Sequence, residues 1–159
     1  MTLRADIEIV GVDVLSREES LIPVQLFDGR HLSFETNAFD AVMMIDVLHH
    51  ATDQEALLTE AARVARDALI IKDHIMAGSI TRATLAFMDW VGNARHGVSL
   101  PYAYWTAEQW EREFTARSLR VVEFRPKLGL YPWPASLMFE RRLHFIAKLE
   151  HAVRVSSGG

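Results

Sequence analysis

"FDAVMMIDVLHH", residues 39–50, decides how this chain folds. Phe39 to Ile45 are apolar apart from Asp40, a length and composition that suit a strand. Asp46, His49 and His50 follow at once, so burial gives way to ionisable chemistry where the strand should end. One reading is structural: a buried strand stops and a helix or loop begins. The other is functional, because ligands of open α/β sheets collect beyond the carboxyl ends of the strands.

Similar transitions occur on both sides. "DIEIVGVDV" (6–14) is nearly all apolar, suits a strand buried on both faces, and carries Asp13 near its end. "PVQLF" (23–27) is a shorter strand ending in the turn signal Asp28-Gly29. "ALIIKD" (68–73) is again apolar and then polar. Between them Thr52 and Glu55 have the spacing of a capping box, and Leu57, Leu58, Ala61, Ala62 and Ala65 follow on one helical face. A helix is predicted over 80–91, with Gly92 ending it, and another from the Thr106/Gln109 capping box to Ala116. "LRVVEF" (119–124) and "LHFIAKLE" (143–150) make a last strand pair with no helix between them, so the final strand should be antiparallel. The predicted fold is α/β: a Rossmann-like, mainly parallel sheet with helices on both faces. Acids at 13, 28, 46 and 73 then share one sheet edge.

With 159 residues, half of them hydrophobic, the chain suits one domain over 1–155 and a frayed tail over 156–159. The net charge of -4 argues against nucleic-acid or anionic-membrane partners held by bulk charge. The sequence has no cysteine, which excludes disulfides, thiolate metal sites and cysteine nucleophiles, and fits the cytoplasm. No secretory leader is expected, because Asp6, Glu8 and Asp13 interrupt the apolar start.

From "IVGVDVL" through "DGRHLSFETNAFDAVMMIDVLHHATDQEALLTEAARVARDALIIKD" to "YWTAEQWEREFTARSLRVVEF", the sequence resembles the class I S-adenosylmethionine-dependent methyltransferases of small-molecule type. The resemblance implies that Asp13, with Val14 beside it, ends the family's second strand and takes the ribose hydroxyls. Asp28 and Gly29 then follow the third strand and hold the adenine amino group. Ile45, Asp46 and His50 follow the fourth and face the methionine half or the acceptor. The implied cofactor is S-adenosylmethionine, and the implied partner is a small-molecule methyl acceptor.

One family feature is missing from these residues. The glycine-rich turn after the first strand should lie upstream of Asp13, yet no Gly-x-Gly occurs anywhere in the chain. The expectation is a domain truncated at its N-terminus, without its first strand, with "LRAD" (3–6) as a remnant of its first helix and cofactor binding impaired. That strand normally lies between the second and the fourth, whose edges would be left unpaired. Direct pairing of the two edges, a partner chain or a longer chain would repair this; a homodimer or a rearranged sheet is expected.

For chemistry, His50 is the candidate general base, oriented by Asp46 at i−4 if the segment is helical. The alternative is a packed or capping histidine. Asp73 and His74 at the next strand end, Tyr104 in "YAYW" and Trp133 in "LYPWP" are candidate substrate contacts. Arg141 and Arg142 read as charged guards of a strand edge. No metal is expected at His49, His50 and Asp53, because adjacent histidines on a helix point apart. Two functions remain: a methyltransferase-like enzyme, or a non-catalytic relic serving as an interaction or dimerisation module. The missing glycine turn motivates the second.

Overall fold

The apolar runs all become strands, but they differ in how much partner each one finds. The structure is a computed structural model describing residues 6–15, 20–93, 101–129, 132–133 and 143–152. Gly11–Asp13 (β1) lies parallel to Val24–Leu26 (β2), Asp13 opposite Leu26. Phe39–Ile45 (β3), Ala65–His74 (β4), Leu119–Arg125 (β5) and His144–His151 (β6) form a second sheet in the order β3-β4-β6-β5. β3 and β4 are parallel, and β6 runs antiparallel to both β4 and β5. The Rossmann-like α/β class with an antiparallel last strand is as the sequence predicts.

Among the described residues three α-helices accompany the strands: Gln54–Val64 (α1), Ser79–Asn93 (α2) and Ala107–Ala116 (α3). The capping box of α3 forms as predicted. Thr106 Oγ1 accepts from the Gln109 amide at 3.3 Å, and Gln109 Oε1 accepts from the Thr106 amide at 2.8 Å. At α1 the cap is Asp53 rather than Thr52; its Oδ1 accepts from the Ala56 amide at 3.0 Å. Arg30 holds the other oxygen of Asp53 at 2.7 Å, which a threonine hydroxyl could not match as an ion pair. α1 runs straight into β4, so that strand starts at Ala65 instead of Ala68. A register shift between Phe39 and Ala41 absorbs the irregularity.

One apolar cluster joins the sheet to α1 and α3. Met44, Leu69, Ile71, Phe145, Ala147 and Leu149 from the strands meet Leu57, Leu58, Ala61 and Ala62 from α1 and Trp110 and Phe114 from α3. A fully buried side chain of this size contributes about 1.5–3 kcal/mol. Trp110 is buried in this cluster, and its Nε1 donates to the His74 carbonyl at 3.0 Å. That bond pins α3 to the carboxyl end of β4. The other face of β3 is open, with Met43 65% and Ile45 46% exposed.

β1 is much shorter than the 6–14 strand expected, because β2 offers it only three residues of partner; Ile7 and Ile9 are left exposed. The two sheets are separate, and among the described residues no strand hydrogen-bonds β1 to β3. Direct pairing of these two edges is therefore not made. "LRAD" falls outside the described residues except for Asp6, and so do Arg141, Arg142 and the tail.

Candidate active site

Parallel pairing puts the carboxyl ends of β1 and β2 side by side. The Phe27 amide donates to the Asp13 carbonyl at 3.1 Å, so Asp28 emerges next to Asp13. Asp13 Oδ1 accepts from the Leu15 amide at 2.9 Å. Asp28 Oδ1 accepts from the His31 and Arg30 amides at 2.7 and 2.8 Å, and those two bonds hold its carboxyl below its ordinary range. Gly29 has φ +78°, and a Cβ there would stand 3.3 Å from Val14 Cγ1. The turn after β2 thus closes against the end of β1 through a residue that tolerates positive φ. Asp13, Val14, Asp28 and Gly29 form one rim.

The ends of β3 and β4 build a second, buried group. Asp46 has φ +53°, and the chain continues as a 3₁₀ turn over Leu48–His50 rather than an α-helix. Asp46 therefore does not orient His50; both its oxygens hold Lys72 Nζ on the neighbouring strand. Asp73 orients His49 instead, with 2.6 Å from Oδ1 to His49 Nδ1. Asp73 also accepts from the Leu48 amide at 3.1 Å and the His74 amide at 2.7 Å. Only 1% exposed, it is held within the group by His49 and these two amides.

Asp89 of α2 and Tyr104 complete the cluster. The Tyr104 hydroxyl donates to Asp89 Oδ2, and His49 Nε2 lies 3.6 Å from Asp89 Oδ1. His74 Nδ1 is 3.3 Å from His49 Nδ1, and the His144 ring centroid is 4.7 Å from that of His74. Adjacent histidines do not diverge here: the ring centroids of His49 and His50 are 4.0 Å apart. Burial works against charging His49, but Asp73 and Asp89 outweigh it and push its pKa up to about 9. Burial also opposes ionisation of Asp73 and Asp89, yet His49 keeps both below the ordinary carboxylate range. Burial, and then the charge on His49, pull His50 down. The Tyr104 phenol is raised by burial and by Asp89.

The predicted residues are thus sorted rather than merged. Asp13, Val14, Asp28 and Gly29 meet at one rim; Asp46, His50, Asp73, His74 and Tyr104 belong to the other. Ile45 ends β3 beside that second group, half exposed. Trp133 is 79% exposed and not packed into the group; its neighbours Tyr131 and Pro134 lie outside the described residues. Sequence reasoning missed Asp89 and His144 and gave His49 no role. The signal for Asp89 was a lone acid inside the apolar run "LAFMDWV" (85–91).

Residues 4–69 match the sequence profile of a methyltransferase domain family. No curated protein matches the chain by sequence. Among solved structures, an S-adenosylmethionine-dependent methyltransferase from Mesorhizobium loti is similar, with a TM-score of 0.63 at 11% identity over 91% of this chain and 80% of that one. A chain from the complex between the Haloferax volcanii Trm112 methyltransferase activator and a methyltransferase gives 0.64 at 15% identity, over 90% of this chain and 71% of that one. The [4+2]-cyclase SpnF gives 0.59 at 15% identity, over 92% and 67%. At these identities the likeness is one of fold. Residues 4–69 thus match a methyltransferase domain profile, and the chain shares its fold with S-adenosylmethionine-dependent methyltransferases.

Proposed function

We propose that this chain is a methyltransferase-type protein that binds S-adenosylmethionine at the β1–β2 rim and a small-molecule acceptor at the β3–β4 ends. The observation that carries this reading is the juxtaposition of Asp13 and Asp28 on one rim of a parallel pair. Two carboxylates there suit the hydroxyls of a ribose and an amino group of a base, both hydrogen-bond donors. Gly29, at φ +78°, lets the turn hold Asp28 beside the end of β1. Ile45 borders the methionine half. When bound, the cofactor supplies an electrophilic methyl on a sulfonium.

This chain's own residues supply placement and exclusion of water, which is most of what such a transfer needs. The buried group of His50, His74 and Tyr104 lies at the ends of β3 and β4, the side we assign to the acceptor, and Lys72 fixes Asp46 at its edge. Calorimetric titration with S-adenosylhomocysteine tests the reading. Heat of binding is expected from the folded protein and should be lost in Asp13→Ala and in Asp28→Ala. No heat at millimolar ligand overturns it.

A second reading, a non-catalytic interaction or dimerisation module, is supported by the divided sheet. Val12, Met43 and Ile45 are exposed on strands β1 and β3, which do not pair with each other. Light scattering tests it: a dimer is expected, and a monomer peak removes it. The fold alone does not choose between them, since a cyclase also has it.

A further inference from the structure

We infer that His49, His50 and Asp89 form a binding site for one divalent transition-metal cation. One nitrogen from each histidine and one carboxylate oxygen of Asp89 lie within 4.8 Å of one another. His49 Nε2 and Asp89 Oδ1, 3.6 Å apart, are too far for a sound hydrogen bond. Two donors on one ion with bonds of about 2.0–2.2 Å stand roughly 3–3.6 Å apart, so the His49–Asp89 pair already has nearly the spacing an ion needs, and the His50 nitrogen lies within 4.8 Å of both.

The surroundings are built for donors rather than for a loose ion pair. His49 Nδ1 is held by Asp73 at 2.6 Å, which turns Nε2 towards Asp89. A carboxylate behind the second nitrogen of a ligating histidine is the usual support in metal sites. The Tyr104 hydroxyl plays the same part for Asp89, donating to Oδ2, while Oδ1 lies 3.6 Å from His49 Nε2. His50 Nδ1 is buried and has no hydrogen-bond partner among the described residues. A buried polar atom without a partner is costly, and a cation would satisfy it.

Two imidazoles and one carboxylate favour a borderline ion such as Zn²⁺, Co²⁺ or Fe²⁺ over Mg²⁺ or Ca²⁺, which prefer all-oxygen shells. Asp46, His49 and His74 make a rival group within the same distance. There, however, Asp46 already holds the Lys72 ammonium, and His49 Nδ1 is committed to Asp73. A cation at the rival position would have to displace both.

The inference does not depend on methyl transfer, because cation binding is read on the protein without cofactor. The experiment titrates the untagged full chain, stripped with chelator, with Co²⁺ and follows the visible ligand-field bands, then displaces the metal with Zn²⁺. One equivalent of Co²⁺ should bind and give bands of a four- or five-coordinate ion. His50→Ala and Asp89→Asn should each weaken binding at least about tenfold, and Tyr104→Phe by about tenfold through its effect on Asp89. His31→Ala, on the surface, should change nothing. Circular dichroism of each variant identifies those that fold; His50, half-buried, is the variant best suited to retain it. The inference is overturned by folded wild-type protein that shows no bands and takes up no Zn²⁺. It is equally overturned by binding that survives His50→Ala and is lost in Asp46→Asn, which would place the ion in the rival group.

Discussion

The two sheets make their polar edges in opposite ways. In the β1–β2 pair each strand is three residues long, and Val12 and Leu26 are 38% and 64% exposed. Its carboxylates are positioned by neighbours in the chain: Asp13 by the Leu15 amide, Asp28 by those of Arg30 and His31. In the four-stranded sheet the strands have seven to ten residues, and the polar groups are joined over long stretches of chain. His49 meets Asp73, Tyr104 meets Asp89, and Trp110 meets His74. Exposed carboxylates on local turns need little scaffold, because water still solvates them. A buried cluster of ions carries a desolvation cost of several kcal/mol per ion, so only fixed geometry makes it tolerable. The rigid sheet lies beneath that cluster.

The sharpest test of this contrast is in the core. Phe145 is fully buried in β6, with its ring 5.1 Å from that of Trp110 and 5.5 Å from that of Phe124. Phe145→Ala should lower stability by about 3–5 kcal/mol in urea denaturation. Val12→Ala in β1 should cost less than about 1 kcal/mol. Equal losses would mean that the small pair supports the fold as much as the large sheet does.

Gly29→Ala probes the other side. The left-handed backbone there disfavours a side chain by about 1–2 kcal/mol, and Val14 must give way as well. If the β1–β2 rim is peripheral to stability, the strain is felt locally. The denaturation midpoint should move little, while calorimetric binding of S-adenosylhomocysteine should weaken markedly. A large shift in midpoint with binding unchanged would reverse the assignment. Thr106→Ala, which removes the α3 capping box, should cost about 1 kcal/mol in the same denaturation experiment and leave that binding intact.

How far the sequence revealed all this follows the same division. Strands could be read because apolar runs report burial directly, and the Thr106 cap could be read because its partners are three residues apart. The Asp28-Gly29 turn was legible for the same reason, since a turn is local chemistry, whereas the place of Asp13 beside it followed from the strand order and the family resemblance. Asp53 rather than Thr52 caps α1, and its second oxygen meets Arg30, an approach no spacing rule foresees. Asp46 went to Lys72 instead of His50 because the strands are parallel neighbours and the expected helix is a 3₁₀ turn. His49 became the centre of the buried group only once β4 brought Asp73 and α2 brought Asp89 to it. Pairings between distant residues depend on register and tilt, which composition and periodicity do not carry.

The two regions are tied by a clasp on α1, and acid should loosen it. Glu60 Oε2 accepts from the Leu32 amide at 3.0 Å, and Arg63 donates to the Phe34 and Leu32 carbonyls at 2.8 and 2.9 Å. Arg63 also pairs with Glu60, which holds that carboxyl at about 2 against an ordinary 4.5. A carboxyl depressed in the folded state stabilises the protein fully above its unfolded value, and that contribution fades as pH falls through the folded one. The window is therefore pH 4.5 down to 2. Asp73, Asp89 and Asp28 are depressed too, so only a difference isolates the clasp. The gap in stability between wild type and Glu60→Gln should narrow across that window, by a few tenths to about 1 kcal/mol. Salt should shrink it further, because the Arg63 side chain is partly exposed. A gap that stays constant with pH would show that Glu60 holds the loop through its shape and not its charge.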